Sequence, residues 1–278
     1  MSLSQNNIEN PAIQESRIAP TMPLPKRLLS YQISNLQGVG ARERQEDSFT
    51  LANAFDVKQI KNNGLLFVVC DGMGGMKDGK VASETAIASI RQTFQYMNRS
   101  SDIAYQLKEG IYEAAEKVKE QLGGYGGSTV VAGIIYQEKL YFASVGDSFF
   151  YLKRGDMLYR LNEEHTMCTQ IYRECIRDGN MDPAAGRNDS ESSALTQFLG
   201  MVGLSEVDGF VKPLPLREGD VLLACSDGVG GVLNETEVLQ ALSCKTPQEM
   251  CSRIESGIVS HNRKHQDNYT AIIVKCVK

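Results

Sequence analysis

The sequence predicts an α+β sandwich, in which β-sheets form the centre and amphipathic helices pack outside them. Short apolar runs are bounded by Gly, Asp and Ser, as buried strands usually are. Two longer segments have apolar residues at every fourth position, as helices that face a core do. The strand-like runs follow one another and the helical segments come in pairs, so regular βαβ alternation is not predicted.

The first clear elements lie between residues 65 and 127. The run Leu65–Cys70 (LLFVVC) ends in Asp-Gly and predicts a buried strand. A helix is predicted from the apolar positions Ala82, Ala86, Ile90 and Phe94. A second helix, which we expect Ser101 to cap and the glycines of 123–127 to end, is predicted from Ile103, Leu107, Ile111, Ala115 and Val118.

The second half of the chain repeats this order of strands followed by helices. Further strands are predicted at 128–136, 140–145, 149–153, 157–161, 221–225 and 269–277. Asn234 with Glu237, and Thr246 with Glu249, predict the N-termini of two helices before the last strand. The segment 166–193 begins with a helical pattern and then becomes polar and Gly/Asp/Ser-rich, which is typical of a flap.

Residues 1–28 are rich in Asn, Gln, Ser and Pro and predict a flexible tail, whereas 29–278 predict a single domain. A chain of 278 residues can bury a large core without disulfides. Its net charge of −5 provides no broad basic surface for nucleic acid or for an anionic membrane. The seven cysteines form no CxxC pair, and no apolar run approaches the ~18 residues of a membrane span. We therefore expect a cytoplasmic monomer.

Carboxylates at the ends of apolar runs are the main candidates for chemistry: Asp71, Asp147, Asp227 and Asp267. A carboxylate at the mouth of a buried strand is costly unless it is solvated, hydrogen-bonded or bound to a metal. An Asp-Gly pair after a strand is more often simply a turn. However, CDGMGG at 70–75 and SDGVGG at 226–231 nearly repeat each other, as paired hairpin tips or matching halves of a metal site would. The pair Glu46-Asp47, just after Arg42, reads by itself as a solvated charge run.

The type of ligand predicts the ion. Oxygen donors without a His or Cys cluster suit Mg²⁺ or Mn²⁺ and argue against zinc. The three histidines, His165, His261 and His265, have no zinc-binding spacing. We expect them to be surface or hydrogen-bonding residues.

Together, these segments resemble the type 2C (PPM) family of metal-dependent serine/threonine protein phosphatases, and its bacterial members in particular. The resemblance extends from Gly38 to Lys275, and one such motif would be weak evidence, whereas the whole ordered set is strong evidence. The motifs are Arg42-x-x-x-Glu46-Asp47, LFVVCDGMGG at 66–75, GKVAS at 79–83, GGSTVV at 126–131, ASVGDS at 143–148, LNEEHT at 161–166, ALTQFLG at 194–200, LLACSDGV at 222–229 and Asp267-Asn268.

The resemblance implies a four-layer αββα sandwich with two central antiparallel sheets flanked by helix pairs. It also implies hydrolysis of phosphoserine and phosphothreonine in phosphorylated proteins, by a hydroxide that bridges two Mn²⁺ or Mg²⁺ ions. The implied metal ligands are Asp47, Asp71, the Gly72 carbonyl, Asp227 and Asp267, with Asp47 or Asp71 bridging.

Three further roles follow from the same resemblance. Arg42 would bind the substrate phosphate through a bidentate fork, and Glu46 would hold metal-bound water. Asp147, with Asp227, would match a weaker third metal site. No covalent phosphoenzyme is expected, because no cysteine begins the CxxxxxR loop of cysteine-dependent phosphatases.

Several positions depart from the family pattern. Met73 stands where eukaryotic members have a histidine, and Phe149 and Gln197 replace arginines. Gly231 stands where many relatives have an aspartate near the third metal. A catalytically silent, phosphopeptide-binding relative is therefore an alternative, although every ligand of the two-metal site is present and we expect activity.

A P-loop nucleotide-binding protein is a second alternative. Gly74-x-x-x-x-Gly79-Lys80 follows a predicted strand and precedes a predicted helix, as a P-loop does. Val81, however, replaces the Ser or Thr that binds Mg²⁺ in that motif. Tight ATP binding that depends on Lys80 would favour this interpretation.

Overall fold

The computed structural model describes residues 28–73, 78–179, 186 and 191–278. Its strands are β1 (Ser30–Gly38), β2 (Ser48–Ala52), β3 (Leu65–Cys70), β4 (Gly72–Met73), β5 (Gly127–Ser128), β6 (Val130–Tyr136), β7 (Lys139–Val145), β8 (Phe149–Arg154), β9 (Met157–Arg160), β10 (Asp208–Gly209), β11 (Leu214–Pro215), β12 (Val221–Cys225) and β13 (Tyr269–Val277). Its helices are α1 (Val57–Asn63), α2 (Asp78–Tyr96), α3 (Ile103–Leu122), α4 (Met167–Arg177), α5 (Asp227–Gly230), α6 (Glu235–Leu242) and α7 (Pro247–His261).

Two antiparallel sheets form the centre of the fold. One sheet has the strand order β1-β13-β12-β8-β9, and the other has the order β10-β7-β6-β3-β2 with β11 also paired to β7. The short strands β4 and β5 pair separately. Strands that are distant in sequence, such as β1 and β13, are therefore hydrogen-bonded neighbours.

Alternation along strand β3 shows how the layers are held together. Leu66 and Val68 belong to the core between their sheet and helices α2 and α3. Leu65 and Phe67 belong to the core between the two sheets, where Phe67 makes an edge-to-face contact with Phe150. Because successive side chains on a strand point to opposite faces, one fully apolar run fills two cores.

A helix pair covers the outer face of each sheet. Helices α2 and α3 pack together on one sheet, and α6 and α7 pack on the other through a separate apolar cluster. The predicted α+β class and the four-layer αββα arrangement are confirmed. None of the helices in the described ranges is long and apolar enough to cross a bilayer.

The helix N-termini match the predictions with one exception. Both predicted capping boxes are present, Asn234 with Glu237 at α6 and Thr246 with Glu249 at α7. The cap of α3 is not Ser101 but the next residue, Asp102, whose carboxylate accepts from the backbone N–H of Tyr105 at 3.1 Å. A carboxylate caps well because it is charged and reaches the free amides of the first turn.

The two similar Asp-Gly motifs fold differently. Gly72 begins the short strand β4, whereas Asp227 begins the single helical turn α5. Residues 1–27 of the predicted tail lie outside the described residues, and so do residues 180–185 and 187–190 of the predicted flap. The tail, the domain boundary near residue 28 and the flap therefore stay predictions.

Candidate metal centre

The predicted site residues come together at one edge of the sandwich. Strands β12, β13 and β8 are aligned so that Cys225 pairs with both Phe149 and Ala271. The aspartates that flank these strand ends consequently meet in a cavity of about 250 Å³. The cavity is lined by residues that include Arg42, Glu46, Asp71, Gly72, Asp147, Asp227 and Asp267.

Asp47 lies beside this cavity and is fully buried. Its Oδ2 atom accepts a hydrogen bond from Ser226 Oγ at 2.8 Å, and its Oδ1 atom has no partner among the described residues. Burial raises the pKa of Asp47 to about 6, with Asp227 and Asp267 adding to the shift and the hydrogen bonds from Thr270 and Ser226 opposing it. This carboxylate has one free, desolvated oxygen.

The ionised forms of the other aspartates are also disfavoured by their positions. Burial, and then repulsion from neighbouring carboxylates, raises the pKa of Asp71 well above its usual value. Burial and the charge of Asp227 raise the pKa of Asp147 to about 7. Burial likewise raises the pKa of Asp227, whose Oδ1 atom has no hydrogen-bond partner among the described residues, while a hydrogen bond with Asp71 opposes the shift. The cluster therefore concentrates negative charge that is only partly compensated.

Arg42 is the one cationic side chain among the described residues that line the cavity. Its Nη2 atom lies 2.5 Å from Asp267 Oδ2, and both side chains are partly exposed. Glu46 lies nearby, and burial raises its pKa although the charge of Arg42 opposes the shift. Arg42 is thus at the cavity mouth, where an anionic group would enter.

Side chains of helix α2 hold the backbone of the Glu46-Asp47 pair. Ser83 Oγ donates to the Glu46 carbonyl at 2.6 Å, and Lys80 Nζ donates to the Asp47 carbonyl at 2.8 Å. The lysine is therefore bound to the backbone beside the cluster, as a structural support. No contact of Lys80 favours the P-loop interpretation, and residues 74–77 of that motif lie outside the described residues.

Glycine is required where β4 meets α2. A Cβ atom on Gly72 would lie 2.0 Å from the Gly79 carbonyl oxygen, and one on Gly79 would lie 2.8 Å from the Gly72 carbonyl oxygen. Such distances are far inside van der Waals contact, so neither position accepts a side chain without backbone movement. This close approach fixes the backbone of Gly72 at the cavity wall.

The oxygen donors at this site are of the kind that a hard divalent cation prefers, but their side chains are not grouped around a single position. Within residues 28–73, 78–179, 186 and 191–278, no three Asp, Glu, His or Cys side chains are placed to hold an ion as they stand. Asp267 is paired with Arg42, whereas Asp71 and Asp227 lie in the same cavity without a cationic partner of their own among the described residues. The unpartnered buried oxygens of Asp47 and Asp227 are nevertheless hard ligands of the kind that Mg²⁺ and Mn²⁺ prefer.

Comparison with known proteins identifies the family. Residues 31–179 match the family model described as protein phosphatase 2C. The chain belongs to the protein phosphatase 2C family. It is 31% identical over 229 residues to the serine/threonine phosphatase stp of Listeria monocytogenes, which covers 79% of this chain and 87% of that relative. The predicted membership is confirmed.

Solved structures show the same fold. The serine/threonine phosphatase PstP/Ppp of Mycobacterium tuberculosis is 22% identical and superposes with a TM-score of 0.71 over 90% of this chain and 99% of its own. The catalytic domain of the phosphatase PstP, solved in complex with 2 manganese ions, is 21% identical and has a TM-score of 0.71 over 90% of this chain and 100% of its own.

The departures of this protein phosphatase 2C from the family pattern have local structural consequences. The ring of Phe149 lies under the guanidinium of Arg160, whose Cζ is 4.0 Å from the ring centroid. Arg160 also pairs with Glu164 at 2.9 Å. Gln197 Oε1 accepts from the backbone N–H groups of Ser205 and Glu206, at 3.0 and 3.3 Å.

Sequence reasoning missed the residues that support this centre in the 2C phosphatase. Ser226 bonds Asp47, and Asn268 bonds the segment that carries Glu46. Both are polar residues next to a predicted ligand, in Ser226-Asp227 and Asp267-Asn268. That adjacency to a predicted ligand was the available signal.

Proposed function

We propose that the chain removes phosphate from phosphoserine and phosphothreonine residues of proteins, with a pair of Mn²⁺ or Mg²⁺ ions bound by its carboxylate cluster. When bound, two such cations lower the pKa of water to about 7, and so supply a hydroxide nucleophile near neutral pH. The observation that carries this proposal is the meeting of Asp47, Asp71, Asp227 and Asp267 at one edge of the sandwich. The buried Oδ1 atoms of Asp47 and Asp227 have no hydrogen-bond partner among the described residues, and a bound cation would explain them.

The ligands would be drawn from distant parts of the chain. We assign Asp47, Asp71, the Gly72 carbonyl, Asp227 and Asp267 to the two-ion site. The raised pKa values of Asp47, Asp71 and Asp227 support this assignment, because a cation relieves the repulsion and desolvation that cause them. The similar catalytic domain of the phosphatase PstP was solved in complex with 2 manganese ions, which supports the choice of ion.

Arg42 and Glu46 would act on the substrate side of the site. Arg42 is partly exposed at the cavity mouth, and its planar guanidinium can donate two parallel hydrogen bonds to a phosphate. Glu46 lines the same cavity and would hold and orient water there. The product phosphate would be exchanged through this mouth.

Asp147 would belong to a weaker third cation site with Asp227. It lines both the main cavity and a neighbouring cavity with Asp227 and Gly231. Its pKa of about 7 shows that its carboxylate is poorly compensated near neutral pH. Because Gly231 offers no carboxylate there, we expect this site to bind more weakly than the two-ion site.

The proposal is tested by turnover of p-nitrophenyl phosphate and of phosphoserine or phosphothreonine peptides. Activity should require Mn²⁺ or Mg²⁺, be lost in excess EDTA and return when the cation is added back. Full activity in the presence of EDTA would reject the metal-dependent mechanism.

Binding without turnover has a separate signature. If phosphopeptides bind but are not hydrolysed at any Mn²⁺ or Mg²⁺ concentration, the chain is a silent phosphopeptide-binding relative. Asp227→Asn provides the control, because it should abolish turnover while the fold is retained.

A further inference from the structure

The segment 39–46 carries Arg42 and Glu46 but has no regular secondary structure. Arg42 is 59% exposed, and its guanidinium forms an ion pair with Asp267. Packing around the guanidinium therefore contributes little to its position. The position of Arg42 must be set by whatever holds the backbone of this segment.

Asn268 is the residue that holds this backbone. Its Oδ1 atom accepts from the Glu46 N–H at 2.7 Å, and its Nδ2 atom donates to the carbonyls of Val39 and Arg44 at 2.8 and 2.9 Å. One side chain thus binds the backbone near both ends of the segment, at positions on either side of Arg42 in the sequence. Asn268 is only 4% exposed, so these hydrogen bonds compete little with water.

A second contact shows how closely the segment lies on the chain around Asn268. Gly40 has a φ of +64°, and a Cβ atom there would lie 2.3 Å from the Asp267 carbonyl oxygen. The N–H of Ala41 donates to the Gln266 carbonyl at 2.8 Å. The backbone of the segment therefore packs directly against residues 266–268, without space for a side chain at position 40.

We infer that Asn268 is a positioning residue that fixes Arg42 and Glu46 over the catalytic cavity. This inference rests on the proposed function, in which Arg42 binds the substrate phosphate. Asn268 does not act on phosphate itself, since its amide is fully used by the backbone of the segment. A displacement of about 1 Å in a binding group can cost as much as 10²-fold in rate, so a single clamp can matter.

The main test is Asn268→Ala, studied with p-nitrophenyl phosphate as substrate and inorganic phosphate as competitive inhibitor. We expect KM and the inhibition constant of phosphate to rise by about tenfold, the lower end of the 10–100-fold cost of losing an orienting partner. The value of kcat should fall by less. Mn²⁺ binding, measured by calorimetry, should stay within about twofold, since the backbone N–H of residue 268 still donates to Asp267 Oδ1.

A double-mutant cycle with Arg42→Ala separates positioning from general damage. If Asn268 acts through Arg42, its replacement should change KM by less than about twofold once Arg42 is gone. The same KM increase in both backgrounds would overturn the inference. An unchanged KM and phosphate inhibition constant in Asn268→Ala would overturn it as well.

Two further variants complete the design. Asp220→Asn disrupts a buried ion pair with Arg154, so it should lower the melting temperature without changing KM. Asn268→Asp keeps an acceptor for Glu46 but loses the two donated hydrogen bonds, and it replaces the alanine variant if that one fails to fold. It should also raise KM, and an unchanged value would reject the clamp. A wild-type chain without turnover would instead reject the proposed function.

Discussion

Arg42 and Asp267 form an ion pair across the mouth of the carboxylate cavity, with Nη2 and Oδ2 2.5 Å apart. The pair joins a predicted phosphate-binding group to a predicted metal ligand. Since the two side chains are 59% and 39% exposed, the pair itself contributes little to folding stability. In the proposed function this pair would have to open, because Asp267 would bind a cation and Arg42 would bind a phosphate.

Replacement of Arg42 should therefore affect substrate binding more than the chemical step. Arg42→Ala is expected to raise KM for p-nitrophenyl phosphate by about tenfold or more, as loss of a charge-assisted hydrogen bond worth about 1.5–3 kcal/mol implies. Arg42→Lys is the matched control, because it keeps the charge but loses the planar fork. Its KM should lie between those of the wild type and the alanine variant. Steady-state kinetics at saturating Mn²⁺ measure both values. An alanine variant with the wild-type KM would exclude Arg42 from phosphate binding.

Asp227→Asn should lower the phosphatase activity and raise the stability of the metal-free chain. The amide removes a buried carboxylate whose pKa is raised by burial and by the charge of Asp267, so the metal-free chain should melt at a higher temperature. Each kcal/mol relieved corresponds to roughly 2–4 °C. Turnover should fall by more than the 10–100-fold typical of an outer partner, because a ligand is lost. Calorimetric unfolding and phosphatase assays test the two halves, and wild-type turnover would remove Asp227 from the ligand set.

The metal-free chain should lose stability as the pH rises from about 4 to about 7. Asp47 and Asp147 have folded-state pKa values raised from 3.8 to about 6 and about 7, so in this range the folded chain binds more protons than the unfolded chain. Their contribution is most favourable below the unfolded pKa and is lost as the pH rises through the folded values.

Thermal unfolding in EDTA at several pH values between 5 and 8 measures this effect. Mn²⁺ should raise the melting temperature more at pH 8 than at pH 5, because it binds the ionised carboxylates. The variant Asp147→Asn is the control, since it should flatten the pH dependence. A metal-free melting temperature that is constant or increases over this range would contradict the raised pKa values.

A buried ion pair at the opposite end of the strands should affect stability alone. Arg154 donates to both oxygens of Asp220, at 2.9 and 2.7 Å, and Asp220 is 1% exposed. Removing the charged partner from such hydrogen bonds costs about 1.5–3 kcal/mol, less than for a fully buried pair because Arg154 is 23% exposed and water can partly replace Asp220. Asp220→Asn should therefore lower the free energy of unfolding in urea by about that amount and leave kcat/KM unchanged. A large loss of kcat/KM in folded protein would show that the two ends are coupled.

Much of the fold was predictable because local patterns are strong in this chain. The strand Leu65–Cys70 and the strand Val221–Cys225 were predicted with their observed bounds, since both are short apolar runs that end in polar residues, Asp71 and Ser226-Asp227. The capping boxes at Asn234 and Thr246 were also visible in the sequence. The cap of α3 was misplaced by one residue because Ser101 and Asp102 are both good caps, and only the backbone geometry selects Asp102.

The sequence by itself determined most of the longer strands and helices, the αββα class through its ordered motifs, and the acidic residues available for cations, but it did not predict β1, β2 or α1. The tertiary structure alone decided that strands far apart in the chain meet at one edge, so that Asp71 and Asp227 come to line the same cavity. It also decided that Asn268 holds the segment of Arg42. The reason is that pattern and propensity depend on neighbouring residues, whereas burial, repulsion and hydrogen bonding between distant segments arise only when the sheets have packed.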